Sequence, residues 1–228
     1  GKTGRTGGWP KFIGAITMRN NPNEIIEGIL DLGPVMPVIV IDDIKDALPL
    51  ADAFLAGGLK TIEITLRTPA ALGAIEAVAS LRPEIHVGAG TVVSASLATA
   101  SRNAGAAFAV SPGTTPAVVD GCAAVNLPLL PGVSTVSEIM TLHELGFTAM
   151  KVFPANTASG ASFVRSIASP LPHITICPTG GISAETGPDW LAMPNVRCLG
   201  GSWVAPQKLI AEQQFAAIEK LAREAATL

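Results

Sequence analysis

Short apolar runs recur along this chain at a spacing of roughly 20 to 25 residues, the length of one strand, one helix and two short loops. Their centres fall near Val38, Glu63, Val87, Ala109, Leu129, Lys151, Ile176 and Cys198. The clearest, Val35-Met36-Pro37-Val38-Ile39-Val40-Ile41, is a continuous apolar run of the kind that buried parallel strands show. Segments of helical composition lie between the runs, at 69–79, 94–103, 116–124, 135–144, 161–168 and 183–191. Asp42 and Asp43 offer N-caps for a further helix reaching Ala56, where Gly57-Gly58 ends it. Upstream, Ile25, Ile26, Ile29 and Leu30 have helical spacing and are stopped by Gly33-Pro34. A last helix over 211–226 carries Phe215, Ile218, Leu221 and Ala222 on one face.

Eight strand–helix units without a composition break predict an α/β chain closed into a (β/α)8 TIM barrel with an N-terminal helix, one domain over 23–228. An open doubly wound sheet is the alternative, but the first strand is not followed by the glycine fingerprint of a dinucleotide site. Apolar residues make up 48% of the chain and charged ones 14%, against a charged share of about a quarter in ordinary domains. So little charge implies much buried strand, and subunit interfaces that relieve the surface of being polar. A net charge of −3 with no basic stripe gives no reason to expect nucleic acid. No apolar run reaches the length of a membrane span.

Residues 1–22 read as a basic, glycine-rich, flexible extension. Its Gly1-Lys2-Thr3 lacks the upstream glycine and the strand that a phosphate loop requires. Met18 is a candidate natural start, which would leave 1–17 as an added or leader segment. Cys122, Cys177 and Cys198 are far apart and odd in number, and read as buried thiols in a reducing, cytoplasmic setting. His86, His143 and His173 are scattered without metal-ligand spacing, so no metal and no cofactor is expected.

Chemistry concentrates at the strand ends. In Ala149-Met150-Lys151-Val152-Phe153-Pro154 alternation puts Ala149, Lys151 and Phe153 on one face. A buried ammonium must pair with a carboxylate or lose its charge, and a neutral lysine attacks carbonyls to form imines; a strand-end lysine reaching solvent is the plainer reading. Thr61 to Arg67 alternates strictly, turning Thr61, Glu63, Thr65 and Arg67 inward. Glu63 is then either an acid/base or half of a buried pair with Arg67 or Lys151. The later strands end in Gly88-Ala89-Gly90-Thr91, Ser111-Pro112-Gly113, Pro131-Gly132-Val133-Ser134, Pro178-Thr179-Gly180-Gly181 and Gly200-Gly201-Ser202. Barrel phosphate sites are built after the seventh and eighth strands, from backbone N–H groups and a helix N-terminus, so two glycine pairs there mark a phosphate end.

In this order and spacing, these pieces resemble the 2-keto-3-deoxy-6-phosphogluconate aldolase family, bacterial class I pyruvate aldolases that also cleave 4-hydroxy-2-oxoglutarate. The resemblance runs from Pro34 to Trp203 and includes Pro37-Val38-Ile39-Val40, Glu63-Ile64-Thr65-Leu66-Arg67-Thr68, Lys151-Val152-Phe153-Pro154-Ala155 and Gly200-Gly201-Ser202-Trp203. It implies a Schiff-base lyase of the Entner–Doudoroff pathway, a homotrimer acting on a phosphorylated sugar acid. By the same match Lys151 is the Schiff-base lysine and Glu63 the general acid/base. Arg67 and Thr91 hold the pyruvate carboxylate, Thr179 sits near the substrate hydroxyls, and Phe153 forms an aromatic wall. Pro112 joins the substrate-binding set, and Gly180, Gly181 and Ser202 match the phosphate binders. Asn156 departs from the glutamate that many relatives carry, a loop change expected to touch substrate preference. On the residues alone, a phosphosugar isomerase using Glu63 as base and a non-catalytic scaffold stay open.

Overall fold

The computed structural model describes residues 22–157 and 160–228. The N-terminal extension lies outside the described residues except for Pro22, which opens the first helix. Each apolar run forms a short parallel strand: β1 (Val35–Ile39), β2 (Thr61–Thr65), β3 (His86–Gly90), β4 (Phe108–Val110), β5 (Leu129–Leu130), β6 (Gly132–Val133), β7 (Ala149–Val152), β8 (Thr175–Pro178) and β9 (Leu199–Gly201). The helices are α1 (Pro22–Leu30), α2 (Ala47–Gly57), α3 (Ala71–Leu81), α4 (Ala95–Asn103), α5 (Pro116–Ala124), α6 (Val136–Glu144), α7 (Gly160–Ile167), α8 (Gly187–Leu191), α9 (Gln207–Ala211) and α10 (Phe215–Ala225). Among the described residues, no helix is long and apolar enough to cross a membrane.

Local chemistry accounts for the helix starts. Ser94, Thr115 and Thr135 each adopt an extended backbone and accept a hydrogen bond from the N–H three residues on, as N-caps do. At α6 Glu138 reaches back to the Thr135 N–H and completes a capping box. Burial pushes the Glu138 carboxyl up, but hydrogen bonds from Ser134 and Thr135 outweigh it and hold the group below its usual range.

Three expectations need correction. Asp43 caps a single 3-10 turn at Ile44–Asp46 rather than α2, which begins after it without a side-chain cap. The final helix is two, α9 and α10, broken where Gln213 takes a left-handed backbone (φ 54°). The fifth strand is divided at Pro131, which has no N–H to give to a ladder.

That division has a topological effect. β5 pairs with β4 in a sheet of order β5-β4-β3-β2-β1-β9, while β6 pairs with β7 in the sheet β6-β7-β8. One stretch of chain, 129–133, therefore belongs to both sheets. At the other edge, bridges Ile176↔Val196 and Thr179↔Gly200 set β8 beside the β9 segment. The result is a curled parallel sheet with helices on its convex side.

Burial separates along the strand alternation. Ile62, Ile64, Val87, Ala89, Met150 and Val152 join the helices in the outer core. Met36, Phe108, Val110, Leu130, Ala149, Cys177 and Cys198 form a second cluster on the concave side. α1 closes one end of it with Ile26, Ile29 and Leu30, which is why an N-terminal helix precedes the first strand. Phe108 fits inside because its neighbour is glycine: a Cβ on Gly88 would lie 2.3 Å from the ring. Gly88→Ala should therefore overpack the interior and cost ~1–3 kcal/mol, seen as a melting temperature lower by about 2–4 °C per kcal/mol. An unchanged melting temperature would mean that the Phe108 ring moves aside freely.

Candidate active site

The concave side changes character towards the C-terminal ends of the strands. There β2 contributes Glu63 and β7 contributes Lys151, strands that lie in different sheets. Lys151 Nζ is 3.3 Å from Glu63 Oε1 although the residues are 88 apart in sequence. Lys151 is 5% exposed and Glu63 2%, so this is a buried ion pair. The amine also lies 5.4 Å from the centroid of the Phe153 ring, over its face. Of the two pairings open from the sequence, Glu63 takes Lys151 rather than Arg67. Room for its carboxylate comes from β3, since a Cβ on Gly90 would fall 2.3 Å from Oε1.

A cavity of about 220 Å³, open to solvent, adjoins this pair through Phe153, although neither Lys151 nor Glu63 is itself among its lining residues. Arg67, Phe153, Thr179, Gly180, Gly181 and Ser202 all line it, so six of the residues singled out in the sequence come together there. Arg67 donates through Nε to Thr91 Oγ1 at 3.3 Å, and among the described residues its two terminal nitrogens make no hydrogen bond, so they can meet a carboxylate. Thr91 makes that contact from a left-handed backbone, φ 60°, where a β-branched residue is an outlier of the kind that collects at functional sites. Pro112 does not line the cavity; its carbonyl packs on Gly132, the register partner of Lys151.

Part of the cavity lining is bare main chain. Gly180 and Gly181 both have positive φ, 104° and 68°, conformations that favour glycine. Among the described residues their N–H groups have no protein acceptor. The helix N-terminus expected there is missing: α8 is a five-residue helix that starts six residues after Gly181. Donors at this end are main-chain N–H groups of the turn and the Ser202 hydroxyl. Thr179 Oγ1 is buried without a partner, pressed over Gly200, where a Cβ would lie 2.1 Å from it.

Val38, Val40, Ile182 and Gly200 also line the cavity and were not assigned to it from the sequence. Val38 and Val40 were hidden because the first strand is apolar on both faces and shows no period. The thiols take no part. Cys198, hydrogen-bonded to Cys177 and fully buried, is pushed well above the usual thiol range, and burial raises Cys122 to about 11. Among the described residues no three His, Cys, Asp or Glu side chains gather as a metal site. Chemically, the arrangement offers a sequestered amine, a carboxylate within proton-transfer reach, and a guanidinium and main-chain N–H donors lining the adjoining cavity.

A model of the KDPG and KHG aldolase family matches residues 26–221. The 2-dehydro-3-deoxy-phosphogluconate aldolase of Pseudoalteromonas atlantica is 43% identical over 87% of this chain and 93% of its own length. The KHG/KDPG aldolase of Escherichia coli is 44% identical over the same shares. Among solved structures, a Legionella pneumophila KDPG aldolase with pyruvate captured as a covalent carbinolamine superposes with a TM-score of 0.86 at 38% identity, covering 92% of this chain and all of that one. A Zymomonas mobilis KDPG aldolase with 3-phosphoglycerate gives 0.83 at 42% identity, over 88% of this chain and 94% of that one.

The geometry makes a thermodynamic prediction. Removing one member of a buried ion pair strands the other, at a cost of about 3–5 kcal/mol. Lys151→Met and Glu63→Gln should each destabilise the fold, while the double variant should lose clearly less than the sum. Urea denaturation of the four proteins measures the coupling. Additive losses would show that the two side chains do not interact.

Proposed function

The chain belongs to the KDPG and KHG aldolase family, and on that premise we propose how its residues carry out the reaction. The protein is a lyase that cleaves 2-keto-3-deoxy-6-phosphogluconate (KDPG) to pyruvate and glyceraldehyde 3-phosphate. The observation that carries the assignment of roles is the buried Lys151–Glu63 contact of 3.3 Å, adjoining a cavity lined by Arg67, Ser202 and the Gly180-Gly181 turn.

Lys151 Nζ, once it has given up its proton, attacks the C2 ketone and forms a carbinolamine. Loss of water leaves an iminium, an electron sink adjacent to C3. Glu63 takes the proton of the C4 hydroxyl as the C3–C4 bond breaks; the bonding pair flows into the iminium, giving the enamine of pyruvate and releasing the aldehyde. Protonation at C3 and hydrolysis of the imine return the free lysine. Arg67, oriented by Thr91, grips the carboxylate beside the reacting ketone, so that C2 is presented to the amine. Phe153 forms a flat wall against the lysine end. Thr179, with its unspent buried hydroxyl, faces the substrate hydroxyls, and Pro112 supports the Lys151 strand through Gly132. The main-chain donors of Gly180 and Gly181, with Ser202, take the 6-phosphate.

The same machinery accepts 4-hydroxy-2-oxoglutarate, whose reacting end is identical and which releases glyoxylate in place of the phosphorylated aldehyde. In this reading 23–228 is one (β/α)8 domain, with the curled sheet closed through 129–133 and the β8–β9 bridges. A homotrimer fits the 14% charged composition and the exposed apolar Val136, Met140 and Leu145 at α6. Three free buried cysteines suit the cytoplasm.

Borohydride reduction in the presence of pyruvate should convert the imine to a stable secondary amine on Lys151 and nowhere else. Peptide mapping that placed the adduct on Lys60 or Lys208 would overturn the assignment. Glu63→Gln keeps the shape but not the base, so kcat should fall by at least about a hundredfold while pyruvate still reaches the site. Near-normal turnover would reduce Glu63 to a structural partner of the lysine.

A further inference from the structure

The two sheets meet where Pro131 interrupts the fifth strand, and side chains close the join. Ser111, the residue after β4, is fully buried, and its N–H donates to the Leu130 carbonyl at 3.3 Å. The next step of a parallel ladder would send the Gly132 N–H to the Ser111 carbonyl. Its acceptor is instead the Ser111 hydroxyl, at 3.2 Å. The Gly132 carbonyl accepts from Thr114 Oγ1 at 2.9 Å. Because Thr114 spends its only hydroxyl proton there, the 3.4 Å contact between the two hydroxyls has Ser111 as its donor. Two hydroxyls thus close a ring of hydrogen bonds on the main chain of one glycine.

The reactive lysine is attached to the other side of that glycine. The Pro131 carbonyl and the Gly132 N–H belong to a single planar peptide unit. Ser111 holds one edge of the plane, and the other edge accepts the Lys151 N–H at 2.9 Å. Gly132 is also the register partner of Lys151, and the Val133 carbonyl accepts the Phe153 N–H at 3.1 Å. β7 therefore takes its position from β6, and β6 takes its own from the Ser111 hydroxyl. The Lys151 side chain is buried between Glu63 and Phe153, so a displacement of its backbone is carried to Nζ.

We propose that Ser111 is a positioning residue for imine formation: its hydroxyl sets the Pro131–Gly132 plane and, through it, the place of Lys151 Nζ. This rests on the reading that Lys151 forms the imine. In Ser111→Ala the Gly132 N–H is left buried without its acceptor, and the plane is free to turn. Misplacement by about an ångström costs about a hundredfold in rate, so a tilt of a fraction of that should slow imine formation and kcat about tenfold. KM for the phosphorylated substrate should stay within about twofold, because Arg67, Gly180, Gly181 and Ser202 follow other strands.

The rate is read at saturating pyruvate, by quenching with borohydride at timed intervals and measuring the Lys151 adduct. Thr114→Val is the control: it breaks the ring at the Gly132 carbonyl but leaves the Ser111 bond to the plane that Lys151 uses. Both variants should lower the melting temperature by a few degrees, and of the two only Ser111→Ala should slow the adduct. Ser111→Cys is close in shape but a weak acceptor. It should slow the adduct a few-fold, and it replaces the alanine variant if that one does not fold. A lower melting temperature with an unchanged rate overturns the inference, since Ser111 would then only support the join between sheets. Equal slowing in Ser111→Ala and Thr114→Val overturns it too. An adduct on another lysine would remove the reading of Lys151 itself. A Lys151 adduct formed at the normal rate in Ser111→Ala leaves that reading intact and removes only the role of Ser111.

Discussion

Everything on the concave side of this sheet is arranged to keep one amine and one carboxylate together away from water. Burying a single charge costs several kcal/mol even after relaxation, and only a close opposite charge offsets it. Lys151 and Glu63 come from strands in different sheets, and their 3.3 Å separation requires the sheet to curl until those strands face each other. The apolar cluster beneath, sealed by α1, supplies hydrophobic stabilisation that the pair itself does not. The ion pair is thus a demand on the fold, met by the layer under it.

A space constraint follows from the same curvature. As strands converge, inward side chains compete for volume, and large ones survive only opposite small ones. Phe108 lies against Gly88, Glu63 against Gly90, and Thr179 over Gly200. These glycines are interior positions given up so that a neighbour can occupy the volume. At Gly180 and Gly181 the reason is different: the backbone itself has positive φ, and among the described residues the N–H groups of the turn have no protein acceptor. Packing glycines make room for buried side chains and conformational glycines expose main-chain donors, two different uses of the same residue type.

Much of this was legible along the chain. A two-residue period in Thr61–Arg67 turned Glu63 inward, and the one in Ala149–Phe153 put Lys151 on one face with Phe153, because a strand turns alternate side chains the same way whatever surrounds it; that Lys151 is buried rather than reaching solvent came from the structure. The helical segments 94–103, 116–124 and 135–144 were readable from composition, and the structure adds the caps Ser94, Thr115 and Thr135 that start them. The break between α9 and α10 was not, since Gln213 carries no turn signal yet takes a positive φ just before α10, which packs on α2. That docking rests on Gly57, whose Cβ would lie 2.5 Å from Ala222. Thr91 is similar: nothing about a threonine predicts a left-handed backbone, which here places its hydroxyl against Arg67.

The sequence by itself determined the alternation of strand and helix, the face on which each polar side chain lies, and the glycine-rich strand ends where a ligand can approach. Those depend on spacing within a few residues, and the steric rules of a single chain suffice. Tertiary structure alone decided that Glu63 meets Lys151 rather than Arg67, that Arg67 is turned by Thr91, and that Asn156 fills the place left by Gly181. Each is a contact across the curled sheet or between loops from different strands. Its distance is set by how far the whole sheet bends, which no local pattern encodes.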